Sequence, residues 1–213
     1  MKQNKRKIMI ALLLSFILLL VLCIAGYTAI SPYFTYTGDL GDDVHYLYSA
    51  EHGIMILYGK GATWDFMVGE PNGGYRDENW VFSPFRNMDG WLDENTLNTI
   101  VILDGITYIH GGLFSNCSGL ETVYFPASLT VVEDYAFDNC PGLRTVYFSG
   151  NAPSLSIDSF GTDPSFGYGH NPNITVIHQT GTTGYDKRGW GFPEAIIEQD
   201  VTIPWLSILF GIS

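Results

Sequence analysis

Three carboxylates in one loop-like segment are the first residues of this chain that could do chemistry. Asp89, Asp93 and Glu94 lie close together, and a pair of carboxyl groups can act as acid and base or nucleophile in glycoside hydrolysis. Nothing in the sequence fixes their separation, and acidic residues in loops are usually solvated. The five histidines are far apart in the chain, without the spacing of a metal-binding motif. We therefore predict no catalytic residues, no metal ligands and no cofactor.

The residue types also allow the exposed face of a sheet to bind a protein partner. Two similar segments carry tyrosine, threonine and a charged residue at matching positions, and we expect these side chains to share one outward face: Glu121, Thr122 and Tyr124; Arg144, Thr145 and Tyr147. Tyrosine often anchors protein interfaces. The alternative is that the threonine and tyrosine columns only stabilise strand pairing, with Glu121 and Arg144 as a weak cross-strand ion pair.

A repeat of 23 residues positions these side chains. Leu97–Gly119 and Leu120–Gly142 align without a gap, and the pattern restarts at Leu143. Identical residues recur at these positions: Leu97/Leu120, Thr99/Thr122, Thr107/Thr130, Phe114/Phe137, Asn116/Asn139, Cys117/Cys140 and Gly119/Gly142. A fixed period of this length predicts a stacked array of coils rather than a globular bundle.

Each repeat has the same internal plan. A short strand with apolar first, fourth and sixth residues comes first, followed by a turn, a second apolar pair and one turn of helix. Phe114, Phe137 and Phe160 are then expected to stack as an internal aromatic spine. Cys117 and Cys140 could form a disulfide in an exported protein, but we favour two buried thiols because equivalent positions of a repeat usually face inward.

The second repeat resembles the BspA-type bacterial leucine-rich repeat. Leu120–Val132 (LETVYFPASLTVV) followed by Ala136–Cys140 (AFDNC) fits that pattern almost position for position. The flanks are similar as well, since Gly53–Phe66 resembles the β-hairpin cap that precedes such arrays and Ser83–Phe85 resembles the segment between cap and repeats. The resemblance covers about Gly38–Trp190.

The repeat and this resemblance imply an α+β, mostly β fold: a short leucine-rich-repeat solenoid with an N-terminal β-hairpin cap. The apolar N-terminal segment described below adds one transmembrane helix in front of it. Members of this family are secreted or surface-attached, and some mediate adhesion. Together with the lack of a catalytic motif and the apolar N-terminus, the resemblance leads us to expect a non-enzymatic, exported, membrane-tethered module that mediates protein–protein interaction or adhesion at the bacterial cell surface. The partner would be a protein on a host or neighbouring bacterial surface. The alternative is a carbohydrate- or cell-wall-binding domain that uses the aromatic side chains of Trp64, Trp80 and Trp91.

The N-terminus predicts membrane attachment. Four basic residues precede Ile8–Ala25, an uncharged apolar stretch of 18 residues that is long enough to form a spanning helix. The positive-inside rule places the tip in the cytoplasm and the rest of a single-pass protein outside, unless cleavage after Ala25 releases it. The whole chain carries a net charge of −12, and the part after Ile30 contains only 6 basic but 22 acidic residues. We expect the acidic surface of that part to repel nucleic acid.

The expected organisation has five parts. Residues 1–30 form the basic tip and signal-anchor, 31–41 a tether, 42–96 the N-terminal β cap, 97–160 the repeats, and 161–213 a C-terminal cap with the apolar tail Pro204–Ser213. That tail is too short to cross a bilayer as a helix. The strand Ile174–His178 is expected within the C-terminal cap.

Overall fold

The computed structural model describes residues 34, 36–65, 96–156, 158–161, 173–186 and 196–205. In these ranges the chain forms the following strands: β1 Tyr36–Gly41, β2 Val44–Ser49, β3 Ile54–Gly59, β4 Gly61–Ala62, β5 Thr99–Ile102, β6 Ile106–Ile109, β7 Thr122–Phe125, β8 Val131–Val132, β9 Thr145–Phe148, β10 Ser154–Leu155, β11 Thr175–His178 and β12 Ile196–Glu198. No helix within the described ranges has the length and apolar character needed to cross a membrane. The predicted spanning segment Ile8–Ala25 lies outside them.

Two sheets form the walls of the solenoid. The larger has eight strands in the order β1-β2-β3-β5-β7-β9-β11-β12, and the smaller has four in the order β10-β8-β6-β4. The strands β5, β7 and β9 pair in parallel with equivalent residues opposite each other, as in Thr122 opposite Thr145 and Val123 opposite Val146. This register follows from the repeat, because any slip by one residue would turn the apolar side chains outward. The predicted mostly β solenoid is confirmed.

The space between the sheets is the core, and the repeat fills it with the residues that the pattern predicted. Leu120, Val123 and Phe125 are buried together with their equivalents in the coils on either side. The Phe114, Phe137 and Phe160 rings stack in sequence with centroids 5.1 Å apart at each step, which confirms the aromatic spine. Cys117 and Cys140 are buried beside it and are not joined by a disulfide.

The segments expected to be turns of helix are instead successive β-turns. Gly112 (φ 71°) and Tyr135 (φ 61°) hold the same repeat position, and both adopt the left-handed conformation. A residue with that φ cannot be part of a right-handed helix, so the chain bends at this position and no helical turn forms. Asn116 and Asn139 repeat the conformation at the end of the segment, with φ of 67° and 50°. The helical part of the predicted α+β class is therefore wrong for these segments.

The N-terminal cap is larger than predicted. The expected hairpin is confirmed as the antiparallel pair β2–β3, but Tyr36–Gly41, expected to belong to a tether, pairs with β2 as strand β1. Leu40 is buried in the same core as the repeats, which explains why this segment folds back. Strands β3 and β4 pair in parallel with β5 and β6, so the cap supplies a first coil without a repeat sequence.

The C-terminal end closes the core with a polar aromatic residue. The predicted strand Ile174–His178 is confirmed as β11, which pairs in parallel with β9. Tyr185 is buried against the last coil, where its hydroxyl donates a hydrogen bond to the Gly150 carbonyl at 2.7 Å and its ring stacks on His178 at 4.1 Å. Burial raises the pKa of Tyr185. Strand β12 extends the larger sheet beyond β11 and was not predicted.

Candidate functional site

The outer face of the larger sheet carries two side-chain columns that cross consecutive strands. One is threonine, with Thr99 opposite Thr122, Thr122 opposite Thr145 and Thr145 opposite Thr175. Each of these threonines is half-buried. Alternation along a strand sends Val123 inward and leaves its neighbours on the other face, so the threonine column lies outward as predicted.

The second column is apolar and aromatic. Its members follow one another across the sheet in the pairing register: Ile56, Val101, Tyr124, Tyr147, Ile177 and Ile197. The Tyr124 and Tyr147 rings stack with centroids 4.5 Å apart and planes only 6° from parallel. Burial raises the pKa of Tyr124 to about 12, and the interaction with the Tyr147 hydroxyl adds to the shift. The predicted neighbours are therefore in direct contact.

Tyr124 is not an exposed anchor, which corrects the sequence-based expectation. Only 8% of its surface is accessible, whereas Tyr147 is half-buried. The residue belongs to an outer cluster, in which buried Ile54, Ile56, Val101 and Tyr124 pack with Phe34, Leu103, Tyr147 and Ile203. Phe34 precedes the first strand and Ile203 follows the last, so residues from both ends of the described chain cover this cluster, while the threonine column stays half-exposed. The repeat period carries no information about such cover.

The charged residues beside the columns are exposed but do not form the expected pair. Glu121 and Arg144 lie at the start of consecutive coils, yet the Arg144 guanidinium donates hydrogen bonds to the carbonyl oxygens of Pro141 at 2.7 Å and Leu143 at 3.0 Å. The salt bridges among the described residues do not include a Glu121–Arg144 contact. Both charges therefore remain on the rim of the outer face, beside Thr122 and Thr145.

The aromatic residues proposed for sugar binding do not form an open platform where they are described. Trp64 is half-buried and packs against the core, and its indole nitrogen donates a hydrogen bond to Asp42 at 3.0 Å. Trp80 and Trp91 lie outside the described residues, as do the carboxylates Asp89 and Asp93 considered for glycoside hydrolysis. Those two hypotheses thus stay predictions.

One side-chain cluster was missed by reasoning from the sequence. His110 and Glu133 lie at the edge of the smaller sheet with Nδ1 and Oε2 2.9 Å apart, and Asp65 completes a group of three. A signal was present, because His110 and Glu133 are separated by one repeat length and so must be neighbours in a stacked array. Asp65 gave no signal, since it belongs to the non-repeating cap.

Hydrogen bonds determine the electrostatics of this cluster. Burial by itself would raise the pKa of Glu133, but the hydrogen bond from Tyr108, the adjacent His110 and the Gly111 amide lower it overall. The same hydrogen bond to Glu133, together with burial, raises the pKa of Tyr108 to about 12. Glu133 is accordingly a carboxylate and Tyr108 a hydrogen-bond donor at neutral pH.

Comparison with known proteins identifies the repeats. Residues 90–168 match the family described as "BspA type Leucine rich repeat region (6 copies)". None of the curated proteins matches the chain. A leucine-rich repeat protein from Eubacterium ventriosum, whose crystal structure is known, is similar at 14% identity over 77% of this chain, with a TM-score of 0.41. The alignment spans 44% of the length of that protein.

Proposed function

We propose that this chain is a protein-binding module of the bacterial cell surface, on the premise that residues 90–168 match the BspA-type leucine-rich repeat family. The family assignment favours recognition over catalysis, since solenoids offer an extended repetitive surface to partners. The contact surface that we propose is the outer face of the larger sheet. It consists of the threonine column, the exposed rim of Tyr147, and the charges of Glu121 and Arg144.

The observation that carries this proposal is the threonine column itself. Thr99, Thr122, Thr145 and Thr175 are half-exposed on consecutive parallel strands, so they present a flat row of hydroxyl and methyl groups at the strand spacing of about 4.8 Å. A row of this kind can bond a partner's backbone or side chains without a large loss of side-chain entropy. The adjacent outer cluster provides a packed apolar surface beside this row.

Membrane attachment belongs to the same proposal. The basic tip and the apolar segment Ile8–Ala25 would tether the module, with residues 31–213 outside the cell, and the partner would be a protein on a host or neighbouring bacterial surface. Support comes from the composition of the N-terminus and from the acidic balance of the remaining chain. Protease added to intact cells should degrade residues 31–213 while leaving a cytoplasmic marker whole.

The binding test compares two faces of the solenoid with matched substitutions. The double variant Thr122→Arg, Thr145→Arg places two large charges on the outer face and should abolish capture of the surface proteins that the full-length chain retains. The control, Thr107→Arg with Thr130→Arg, places the same charges on the smaller-sheet side of the first two coils, and capture should persist. Captured proteins are identified by mass spectrometry.

The result that would overturn the face assignment is equal capture by both double variants, or loss from the control alone. Melting temperatures of the two variants are compared first, so that a folding defect is not read as lost binding. The Tyr124→Ala substitution is unsuitable here, because Tyr124 is buried in the outer cluster and its removal would destabilise the sheet.

A further inference from the structure

The cluster at the edge of the smaller sheet arises where three consecutive coils leave their strands. His110 directly follows β6, Glu133 directly follows β8, and Asp65 comes shortly after β4. Tyr108 and Ile109 pair in register with Val131 and Val132, so the next residue of each strand, His110 and Glu133, is brought side by side. The Thr63 side chain accepts a hydrogen bond from the His110 amide at 2.9 Å and joins the cap to this row.

The three side chains lie close enough together to share one metal ion. One ligand atom from each of Asp65, His110 and Glu133 lies within 4.8 Å of the other two. Tetrahedral ligands at about 2.0–2.1 Å from Zn²⁺ are about 3.3 Å apart, so modest side-chain rotation closes the group around an ion. All three side chains are partly exposed, which leaves a path for an ion and room for a water molecule as a further ligand.

Neighbouring groups hold these ligands in place. The Tyr108 hydroxyl donates to Glu133 Oε1 at 2.5 Å, and the Gly111 amide donates to Glu133 Oε2 at 3.2 Å. The Tyr108 ring also packs on the His110 ring at a centroid distance of 4.3 Å. Supporting contacts of this type orient ligands in metal sites and are as much a part of the site as the ligands themselves.

We propose that Asp65, His110 and Glu133 bind a divalent transition-metal ion of the Zn²⁺ class. One imidazole nitrogen with two carboxylates suits Zn²⁺ and its neighbours, whereas Ca²⁺ and Mg²⁺ prefer oxygen ligands alone. Bound there, the ion links the cap coil to the first two repeats. Its role is structural cross-linking of the coils, and it is independent of partner binding on the outer face.

A second histidine with two carboxylate neighbours supplies a matched control. The two ring nitrogens of His45 face different carboxylates, Nδ1 lying 2.6 Å from Asp39 and Nε2 3.7 Å from Asp43. Because the two carboxylates approach opposite sides of one ring, the three groups cannot meet at a single ion. Removal of His45 therefore tests for non-specific binding by a surface histidine in an acidic surrounding.

The experiment uses the full-length chain, purified without a polyhistidine tag, stripped with a chelator and titrated with ZnCl₂ by isothermal calorimetry. We expect one saturable site, an affinity at least about tenfold weaker in His110→Ala and Glu133→Gln, and no change in His45→Ala. Titration with CaCl₂ or MgCl₂ should show no saturable binding.

A second readout guards against misfolding of a variant. Zn²⁺ should raise the melting temperature of the wild type and of His45→Ala, because a ligand that binds only the folded state stabilises it. Glu133→Gln keeps an acceptor for Tyr108 and should fold, but the same Zn²⁺ concentration should raise its melting temperature less than that of the wild type. Absence of saturable binding to the wild type, or an unchanged affinity in His110→Ala and Glu133→Gln, would overturn the proposal.

Discussion

Phe125 and Tyr124 are neighbours in the chain, yet their side chains lie on opposite faces of one sheet and are held in different ways. Phe125 stacks on Phe148 at 4.7 Å, and Phe137 and Phe160 meet it edge-on at 88° and 89°. Tyr124 stacks on Tyr147 at 4.5 Å and is buried within the outer cluster, against which Phe34 and Ile203 pack. The repeat encloses the first column by itself, whereas the second depends on segments outside the repeat.

The comparison shows how one period produces two environments. The second and third coils place Phe125 and Phe148 in the inner column, and Phe125 meets the spine ring of Phe137 edge-on, so the inner column is continuous with the aromatic spine. The outer tyrosines stack just as closely, but the cover comes from Phe34 and Ile203, which lie before β1 and after β12. We therefore expect the inner face to dominate stability and the outer face to contribute less while remaining available for contact.

The largest effect should come from the spine. Phe137→Ala removes a ring that contacts Phe114, Phe160 and Phe125, and we expect a loss of about 3–5 kcal/mol in the free energy of unfolding. Urea unfolding of the full-length chain measures it. Phe137→Leu, which keeps most of the volume, should cost about 1 kcal/mol, so an equal loss in both variants would mean that ring stacking and not volume is decisive.

A smaller loss is expected on the outer face. Tyr124→Ala should lower the free energy of unfolding by about 2 kcal/mol, because the side chain is buried but lies under a thinner cover. Tyr58→Ala serves as the control, since Tyr58 lies on the same sheet with 37% of its surface exposed and should cost about 0.5 kcal/mol or less. If Tyr124→Ala lost as much free energy of unfolding as Phe137→Ala, the expectation that the inner face contributes more to stability than the outer face would be wrong.

The smallest effect is a change in pH dependence. The pKa of Tyr124, raised by burial to about 12, exceeds the value of about 10 in an unfolded chain. The unfolded state therefore loses this proton first as the pH rises. The stability contributed by the group is complete below about pH 10 and is lost between about pH 10 and pH 12. We expect Tyr124→Phe to show a shallower decline in this window than the wild type.

The difference between Tyr124→Phe and the wild type reports on the Tyr124 hydroxyl alone. Tyr46, Tyr108 and Tyr185 also have raised pKa values, but they are present in both and cancel in the difference. Urea unfolding at several pH values across the window gives the two slopes. Parallel slopes would show that the Tyr124 hydroxyl is as well solvated in the folded chain as in the unfolded one.

The sequence by itself determined the repeating part of this protein. The 23-residue period identifies the inward residues, the strand register, the phenylalanine spine and the buried thiols, because stacked coils place equal positions side by side. It also contained an unused signal, the one-repeat separation of His110 and Glu133. Local periodicity suffices for such features, since each is a relation between one coil and the next.

Only the tertiary structure decided where the non-repeating segments pack. Strand β1 adds to the cap, Asp65 approaches His110, and Phe34 and Ile203 cover the outer cluster, which buries Tyr124. None of these contacts has a period, because each depends on which apolar or polar surface the finished solenoid leaves uncovered. A segment settles where it buries that surface or completes those hydrogen bonds, and this requires the whole fold to be present.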